Sequence, residues 1–138
     1  MTDERDRAMR RAGDLLARRA HGREELRRKL TRGGDAEVAA EVIDDLARMG
    51  YVDDEQYAAA LAGHRLGRGW GPLRIEHDLA GAGVPEAVVN AAVAALDRDA
   101  VRAAAARAVG DRVGDAAARR LAARGFDADV AGDVLGTS

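Results

Sequence analysis

The sequence contains no cysteine, and only 3% of its 138 residues are aromatic. The absence of cysteine excludes a disulfide framework, a thiolate nucleophile and a cysteine-ligated metal site. The scarcity of aromatic residues means that any core must consist mainly of alanine, leucine and valine side chains. Because burial contributes only roughly 25 cal/mol per Å², and small side chains bury little area, we expect modest stability.

Long apolar runs are also absent, since no stretch approaches the roughly 20 residues that a transmembrane helix needs. The N-terminal region is charged from Asp3 onward and lacks the apolar segment of a secretory signal. From these two absences we expect a cytoplasmic protein that makes no membrane contact.

Charge is distributed unevenly along the chain, although the formal net charge is only −2. Residues 1–34 carry a net charge of +5, and residues 35–63 carry a net charge of −7. The zones 64–74, 75–101 and 102–138 then carry +3, −4 and +1. Such alternation is compatible with two interpretations: a surface patterned for a charged partner, or a set of ordinary solvated helix faces.

Apolar residues recur at helical spacing throughout the chain and predict nine helices and no strand. The first helix is expected over about 6–20, the seventh over 99–109 and the eighth over 115–124. Residues 111–113 could extend the seventh helix. Glycine, proline and aspartate separate the periodic segments, as expected at helix ends. The predicted fold class is therefore all-α.

The fourth predicted helix has the most complete start signal in the sequence. Asp53 is the expected N-cap, and Gln56 stands three residues later, as in a capping box. Val52 and Tyr57 occupy the two positions of a hydrophobic staple, so Tyr57 is expected in the core. Gly50 lies where a residue in the left-handed conformation should end the preceding helix.

A turn recurs at 30–34, 79–83 and 121–125, at spacings of 49 and 42 residues. Each copy begins with a leucine of an apolar stripe and is followed by a valine cluster; the stripe leucines are Leu26, Leu30, Leu79 and Leu121. A period of 40–50 residues made only of helices is typical of helical arrays. We therefore predict an elongated, curved array of three tandem three-helix repeats, over 1–50, 51–97 and 98–138, with a long groove.

Residues suited to catalysis are nearly missing. The only serine is Ser138, no phosphate-binding glycine-rich loop is present, and the three histidines are far apart in sequence. The acidic run 53–55 could suggest a divalent cation, but capping and the helix dipole account for it more simply. We therefore predict no enzyme, and no catalytic, cofactor-binding or metal-ligating residue.

Trp70 stands between two glycines, Gly69 and Gly71. It could pack at a junction between repeats, or it could be exposed as an anchor of the kind enriched at binding hot spots. The sequence favours packing slightly and leaves both interpretations open.

Four stretches of the sequence resemble signatures of the RecX family. Residues 20–30 resemble the first signature, in which a His-Ser pair precedes Glu-Leu and Lys-Leu, and residues 50–58 resemble the Gly-Tyr-Leu-Asp-Asp segment. Arg65 with 71–75 resembles the third stretch, and residues 122–127 resemble the turn of the last repeat. The resemblance covers about 7–135 in the right order. Gly22 departs from it by replacing a capping serine, and the last repeat is unusually rich in alanine.

The resemblance implies a regulator that binds RecA and its filament on single-stranded DNA, lodges in the filament groove and suppresses ATPase and strand exchange. It thereby implies a role in recombination, DNA repair and the SOS response. We expect a monomer whose basic residues contact acidic RecA surface or filament phosphates, while the acidic segment 35–55 faces basic partner loops. The candidate contacts are Arg18, Arg19, Arg23, Arg27, Arg28, Arg65, Arg68 and Arg74.

Two other functions remain open on sequence grounds. The basic N-terminal zone could belong to a module that binds nucleic acid directly, although the overall charge of −2 predicts weak binding. The chain could also be a passive helical scaffold for an unrelated partner.

Overall fold

A computed structural model describes residues 2–136, and within this range the chain forms nine helices and no strand. The helices are α1 (Thr2–Arg18), α2 (Arg23–Arg32), α3 (Ala36–Arg48), α4 (Asp54–Gly67), α5 (Pro72–Gly81), α6 (Glu86–Ala94), α7 (Arg98–Val109), α8 (Gly114–Ala123) and α9 (Ala128–Leu135). The all-α prediction is confirmed. Helix contacts fall mainly within successive groups of three, here called the first unit (α1–α3), second unit (α4–α6) and third unit (α7–α9).

Some helix boundaries differ from those predicted. Helix α1 begins at Thr2 rather than near residue 6, because Asp3 and Glu4 favour the helix N-terminus, and it ends at Arg18. Helix α7 begins at Arg98, because the Asp97 carboxylate accepts a hydrogen bond from the Ala100 N–H at 2.9 Å. Residues 111–113 do not extend α7, because Gly110 leaves the helix at φ 58°.

Asp53 caps α4 as predicted, but the rest of the predicted start signal is only partly realised. Its Oδ1 accepts hydrogen bonds from the N–H groups of Glu55 and Gln56 at 2.9 and 3.2 Å. In the part of the chain that the structure describes, the Gln56 side chain does not return a hydrogen bond to Asp53. Val52 and Tyr57 are both buried, but they belong to different hydrophobic clusters. The staple contact is therefore not what buries them.

The recurring turn separates two helices at all three predicted positions, but its backbone geometry is the same at only two of them. Gly83 and Gly125 adopt φ values of +82° and +89°, and the residue after each donates an N–H to the carbonyl of Leu79 or Leu121. Gly50 closes α3 in the same way at φ +83°, as predicted. At 30–34 the turn ends α2 without a left-handed glycine, since Gly33 has φ −120°, and Asp35 caps α3.

The core is divided in two. The first cluster contains the buried apolar residues of α1–α3 together with Val52, whereas the second runs without a break from Tyr57 to Phe126 and so joins the second and third units. The predicted core leucines Leu26, Leu30, Leu79 and Leu121 are each at most 4% exposed. Consequently the second and third units share one core, and the first unit has its own.

None of the described helices is long and apolar enough to cross a membrane.

Candidate partner-binding surface

Six of the eight arginines predicted to bind a partner are engaged with carboxylates of this chain. These six are Arg19, Arg23, Arg27, Arg28, Arg65 and Arg74. Arg18, in the last turn of α1, and Arg68, at the end of α4, are exposed and have no carboxylate within 4.0 Å among residues 2–136. The structure therefore separates the predicted set into engaged and free cations.

The arginines around α2 are largely neutralised by acids of the first unit. Arg19 donates two hydrogen bonds to the Glu25 carboxylate, at 3.0 and 2.6 Å, and this carboxylate raises the pKa of the guanidinium. Arg27 and Arg28 both donate to Glu24. The Arg27 hydrogen bond lowers the pKa of Glu24 to about 2. Glu24 and Glu25 are already counted in the net charge of +5 over 1–34, so these pairs fix the positions of the arginines without lowering that net charge.

The acidic segment 35–55 is also engaged within the protein. Asp44 accepts from Arg23 at 2.5 Å, Glu41 accepts from Arg5 at 2.9 Å, and Asp45 pairs with Arg5 as well. These pairs cross between α1, α2 and α3, so opposite charges that lie far apart in sequence meet when the first unit folds. Basic loops of a partner would have to compete with Arg5 and Arg23 for these carboxylates.

His21 is the only buried charged or polar residue among those described, at 2% exposure. Its Nδ1 lies 3.1 Å from the Arg19 carbonyl oxygen, and its Nε2 lies 2.9 Å from Lys29 Nζ. Because lysine only donates, Nε2 must accept and Nδ1 must carry the proton. Burial lowers the pKa of His21 and keeps the ring neutral, so that it fixes the turn between α1 and α2.

The junction between the first and second units is formed mainly by polar contacts, together with the packing of Ala20 against the second core. The Asp54 Oδ1 accepts a hydrogen bond from the Arg23 N–H at 2.9 Å, which caps the start of α2 where Gly22 has no side chain to offer. Arg28 Nη1 donates to the Gly81 carbonyl at 3.1 Å. Because this cap comes from a residue distant in sequence, the local pattern around Gly22 gave no sign of it.

The junction between the second and third units is closer and lies along the backbone. The Gly71 N–H donates to the Arg124 carbonyl at 2.7 Å, and the Leu73 N–H donates to the Gly125 carbonyl at 3.0 Å. A Cβ at Gly71 would lie 2.8 Å from Phe126 Cγ, and one at Gly125 would lie 2.5 Å from the Arg74 nitrogen. Only glycine permits this approach at both positions.

Trp70 packs at this second junction, which was the favoured of the two interpretations. The guanidinium carbons of Arg74 and Arg124 lie 4.5 and 3.9 Å from the centroid of its ring. Arg74 comes from α5 and Arg124 follows α8, so guanidinium groups of two units lie over the same indole ring.

Asp78 orients two of the predicted arginines beside Trp70. It accepts from Arg65 Nε and from Arg74 Nε, each at 3.0 Å. Burial raises the pKa of Asp78, but the two hydrogen bonds outweigh it and the net shift is downward. The carboxylate therefore stays ionised and holds Arg74 in place over the ring.

The sequence analysis missed a group of arginines on the third unit. Arg112, Arg120 and Arg124 have no carboxylate within 4.0 Å in the described part of the chain. Burial lowers the pKa of Arg124, and the charges of the neighbouring arginines lower it further. We call Arg74, Arg112, Arg120 and Arg124 the junction arginine cluster. The net charge of only +1 over 102–138 gave no indication of this cluster in the sequence.

Among residues 2–136, no three histidine, aspartate or glutamate side chains are placed to hold a metal ion. Asp53 and Asp54, which had suggested a cation, both cap helices.

Two family models match the chain. The model described as "RecX, first three-helix domain" matches residues 8–54, and the one described as "RecX, second three-helix domain" matches residues 53–93. The border between the two models coincides with the polar junction between the first and second units.

Curated relatives are similar over the same part of the chain. A regulatory protein RecX of Xanthomonas axonopodis pv. citri (strain 306) is 42% identical over 90 residues, which cover 64% of this chain and 56% of that protein. A regulatory protein RecX of Acidithiobacillus ferrooxidans (strain ATCC 53993 / BNL-5-31) is 47% identical over 85 residues, covering 61% and 57%. The matched part of the chain spans just over half the length of these relatives.

Solved structures extend the likeness of fold to the whole chain. The crystal structure of RecX from Lactobacillus salivarius gives a TM-score of 0.84 at 17% identity, covering 99% of this chain and 97% of that one. A second crystal structure of regulatory protein RecX gives 0.82, covering 99% and 75%. At this identity the likeness shows the fold, tandem three-helix units included. Because the two RecX domain models together match more than half of the sequence, the chain belongs to the RecX family.

Proposed function

We propose that this chain binds RecA and its filament on single-stranded DNA, and that binding inhibits or otherwise modulates ATPase activity and strand exchange. The observation that carries the proposal is the match of two RecX domain models to residues 8–93. The relatives are named as regulatory proteins, which supports a role exerted by binding. The proposal places the chain in the cytoplasm as a monomer.

The distribution of charge supports a ranking of the predicted contacts. A free guanidinium can meet a carboxylate or phosphate of the partner without first losing an internal ion pair. Arg18 and Arg68 are free and exposed, so we rank them first. Arg19 has a bidentate partner in Glu25, so we rank it last. Arg23, Arg27, Arg28, Arg65 and Arg74 lie between these two extremes.

The experiment that tests the proposal measures ATP hydrolysis by RecA on single-stranded DNA while the chain is added. We expect the rate to change at or below a few-fold molar excess, and the change to weaken with added salt because charges steer the association. An unchanged rate at that excess would contradict the proposal.

Matched variants locate the contact. Arg68→Gln is expected to raise the concentration needed for half the effect several-fold, whereas Arg10→Gln, an exposed arginine of α1 outside the predicted set, should leave it unchanged. Equal behaviour of the two variants would remove Arg68 from the contact surface without affecting the main proposal.

A further inference from the structure

An open groove runs between α4 and α6 on the surface of the second unit. Its volume is about 380 Å³, and we call it the α4–α6 groove. Small exposed residues form its two walls, with Ala59 and Gly63 on one side and Ala91 and Ala95 on the other. The members of each pair are four residues apart, so they lie one turn apart on the same helix face. Walls made of such small residues let another helix approach closely.

The floor of the groove is apolar and continuous with the core that the second and third units share. Ala62 is buried in this core, and Val88, Ala92 and Leu96 are partly buried residues that pack against it. Covering this floor would remove apolar surface from water, which favours binding.

Gly63 lies in the interior of α4, although no contact within the fold requires a glycine there. A Cβ at this position would meet no atom of the described residues within 4 Å, and its φ is not positive. A glycine inside a helix lowers stability relative to alanine. The space beside Gly63 therefore lets a chain from outside the molecule come close to the α4 backbone within the groove.

Carboxylates flank the groove, and no basic residue is among the described residues that line it. Glu55 is exposed and has no cation within 4.0 Å in residues 2–136, while Asp97 uses one oxygen to cap α7. Helix α6 contains no arginine or lysine, and α4 contains none before Arg65. The groove therefore repels phosphates and attracts cations that lie next to apolar groups.

These features fit an amphipathic helix of a protein better than a small molecule or a nucleic acid. A small-molecule pocket has several polar groups that converge on the ligand, whereas the polar side chains described here are two carboxylates. A helix that lies in a groove presents apolar residues at i, i+3, i+4 and i+7. Lysine or arginine residues at the ends of such a helix would complement Glu55 and Asp97.

We propose that the α4–α6 groove binds a short amphipathic helix of RecA whose apolar face is flanked by lysine or arginine residues. The apolar side chains enter the groove beside Gly63, and the flanking cations pair with Glu55 and Asp97. This inference rests on the proposed action on RecA, and it identifies a part of the contact that does not use the predicted arginines.

The test measures the affinity of the full chain for RecA in the absence of DNA. The chain contains no cysteine, so Ser138→Cys gives a single site for a fluorescent label, and binding is followed by anisotropy. Omitting DNA keeps contacts with nucleic acid out of this measurement. ATP hydrolysis by RecA on single-stranded DNA is measured in parallel with unlabelled chain.

Gly63→Leu and Gly13→Leu form the matched pair that tests the groove. Both glycines are exposed and lie inside a helix, and a Cβ added at either position meets nothing within 4 Å. Gly63→Leu fills the groove, so we expect the Kd for RecA to rise about tenfold or more. Gly13→Leu, on α1, should change the Kd by less than about twofold. Because leucine favours a helix more than glycine does, the Tm of neither variant should fall, and unfolding would not explain lost binding.

Glu55→Gln and Glu76→Gln test the charge beside the groove. Both glutamates are exposed and have no cation within 4.0 Å in the described range, but Glu55 lines the groove and Glu76 lies on α5. Glu55→Gln should weaken RecA binding several-fold and make it less sensitive to salt, whereas Glu76→Gln should change neither. Equal affinities of the two variants would overturn the basic flanks proposed for the partner helix.

Hydrogen exchange of RecA identifies the segment that enters the groove. We expect the parent chain, but not Gly63→Leu, to protect a helical segment of RecA that has lysine or arginine near both ends. Protection confined to a strand or a loop would overturn the proposal.

The outcomes separate this inference from the proposed function. Equal RecA affinities of Gly63→Leu and Gly13→Leu, with ATP hydrolysis changed by both, would overturn the groove and leave the proposed function in place. A parent chain that neither binds RecA nor changes its ATP hydrolysis would overturn both. Self-association of the chain in sedimentation, abolished by Gly63→Leu while RecA binding persists, would assign the groove to a second copy and overturn the proposal.

Discussion

The two junctions between the three units are built from different interactions. The junction of the first and second units has side-chain hydrogen bonds, chiefly Asp54 with the Arg23 N–H and Arg28 with the Gly81 carbonyl, and a small apolar contact at Ala20. The junction of the second and third units has two backbone hydrogen bonds, facing glycines and a continuous apolar core. The first can open by breaking a few polar contacts, whereas opening the second exposes core side chains.

Helical units of the same architecture therefore differ in how firmly they are joined to their neighbours. In a repeat array, stability is the sum of unit and interface terms, so the weaker interface is where the array bends or opens first. We therefore expect the second and third units to behave as one body, with the first unit moving against it.

Leu121→Ala and Leu26→Ala should distinguish the two cores. Both leucines are 0% exposed, so each truncation should lower the free energy of unfolding by roughly 2–5 kcal/mol. Hydrogen exchange should show that Leu121→Ala exposes amides in α4–α9, whereas Leu26→Ala exposes mainly those of α1–α3. Leu73→Ala, at a 54% exposed position, is the control and should cost below about 0.5 kcal/mol. Unchanged protection of α4–α6 in Leu121→Ala would show that the cores are separate.

Alanine at three left-handed glycines should compare the junctions directly. At Gly50 the added Cβ meets nothing within 4 Å, so Gly50→Ala should cost only the strain of its φ, about 1–2 kcal/mol. Gly125→Ala adds a clash with the Arg74 backbone and should cost about 2–4 kcal/mol. A Cβ at Gly83 would lie less than 3 Å from Glu24 Cβ and Cγ, so Gly83→Ala must displace α2. If the first junction yields more easily than the second, its cost should lie between those of Gly50→Ala and Gly125→Ala.

Chemical denaturation measures all three glycine variants. A cost for Gly83→Ala equal to that for Gly125→Ala would mean that the first junction is as rigid as the second.

Asp54→Ala removes the hydrogen bond that caps α2 across the first junction. The expected cost is about 1 kcal/mol, accompanied by faster hydrogen exchange of the Arg23 amide. Asp54→Asn is the matched control, because it removes the charge but keeps an oxygen that can accept the bond. If both variants exchange equally fast at Arg23, the stabilisation comes from the carboxylate charge rather than from the cap.

Acid should destabilise the first unit through Glu24, which is paired within α2, by a smaller amount. The pKa of Glu24 is lowered from its ordinary value of 4.5 to about 2, chiefly by the Arg27 hydrogen bond. Its contribution is therefore complete above pH 4.5 and is lost as the pH falls toward 2. Because the arginines are solvent-exposed, we expect a few tenths of a kcal/mol.

The measurement compares the Tm of Glu24→Gln with that of the parent chain. The difference should be present at pH 7 and narrow between pH 4.5 and pH 2. Glu76→Gln, an exposed glutamate of α5 without a cation within 4.0 Å in the described range, serves as the control. A difference in Tm that becomes larger on acidification would contradict the stabilising role assigned to ionised Glu24.

The sequence contained enough local information to predict the helices and the core leucines. Asp53 caps α4, and Gly50 ends α3 in the left-handed conformation, as predicted. Both could be predicted because each depends only on residues nearby in the sequence. The turn at 30–34 is present as predicted, but its likeness to 79–83 lies in residue types and not in backbone geometry, because neither Gly33 nor Gly34 is left-handed.

The candidate surface could be predicted only in part, because charge on a folded surface depends on contacts distant in sequence. Arg23 reads as a free cation in the sequence, yet folding brings Asp44 to within 2.5 Å of it. Arg120 and Arg124 were not predicted as contacts, because they lie in an alanine-rich segment whose charges nearly balance. Only the structure shows that their neighbours are other arginines.

The cap that Asp54 supplies to α2 affects how this protein can be divided. A fragment cut after residue 50 would lose an acceptor that its second helix uses, although all of its own helices would be present. Anyone who transplants the first unit into another helical array must therefore carry the opening residue of the following unit, or restore a capping side chain at Gly22. The natural module extends slightly beyond its own three helices.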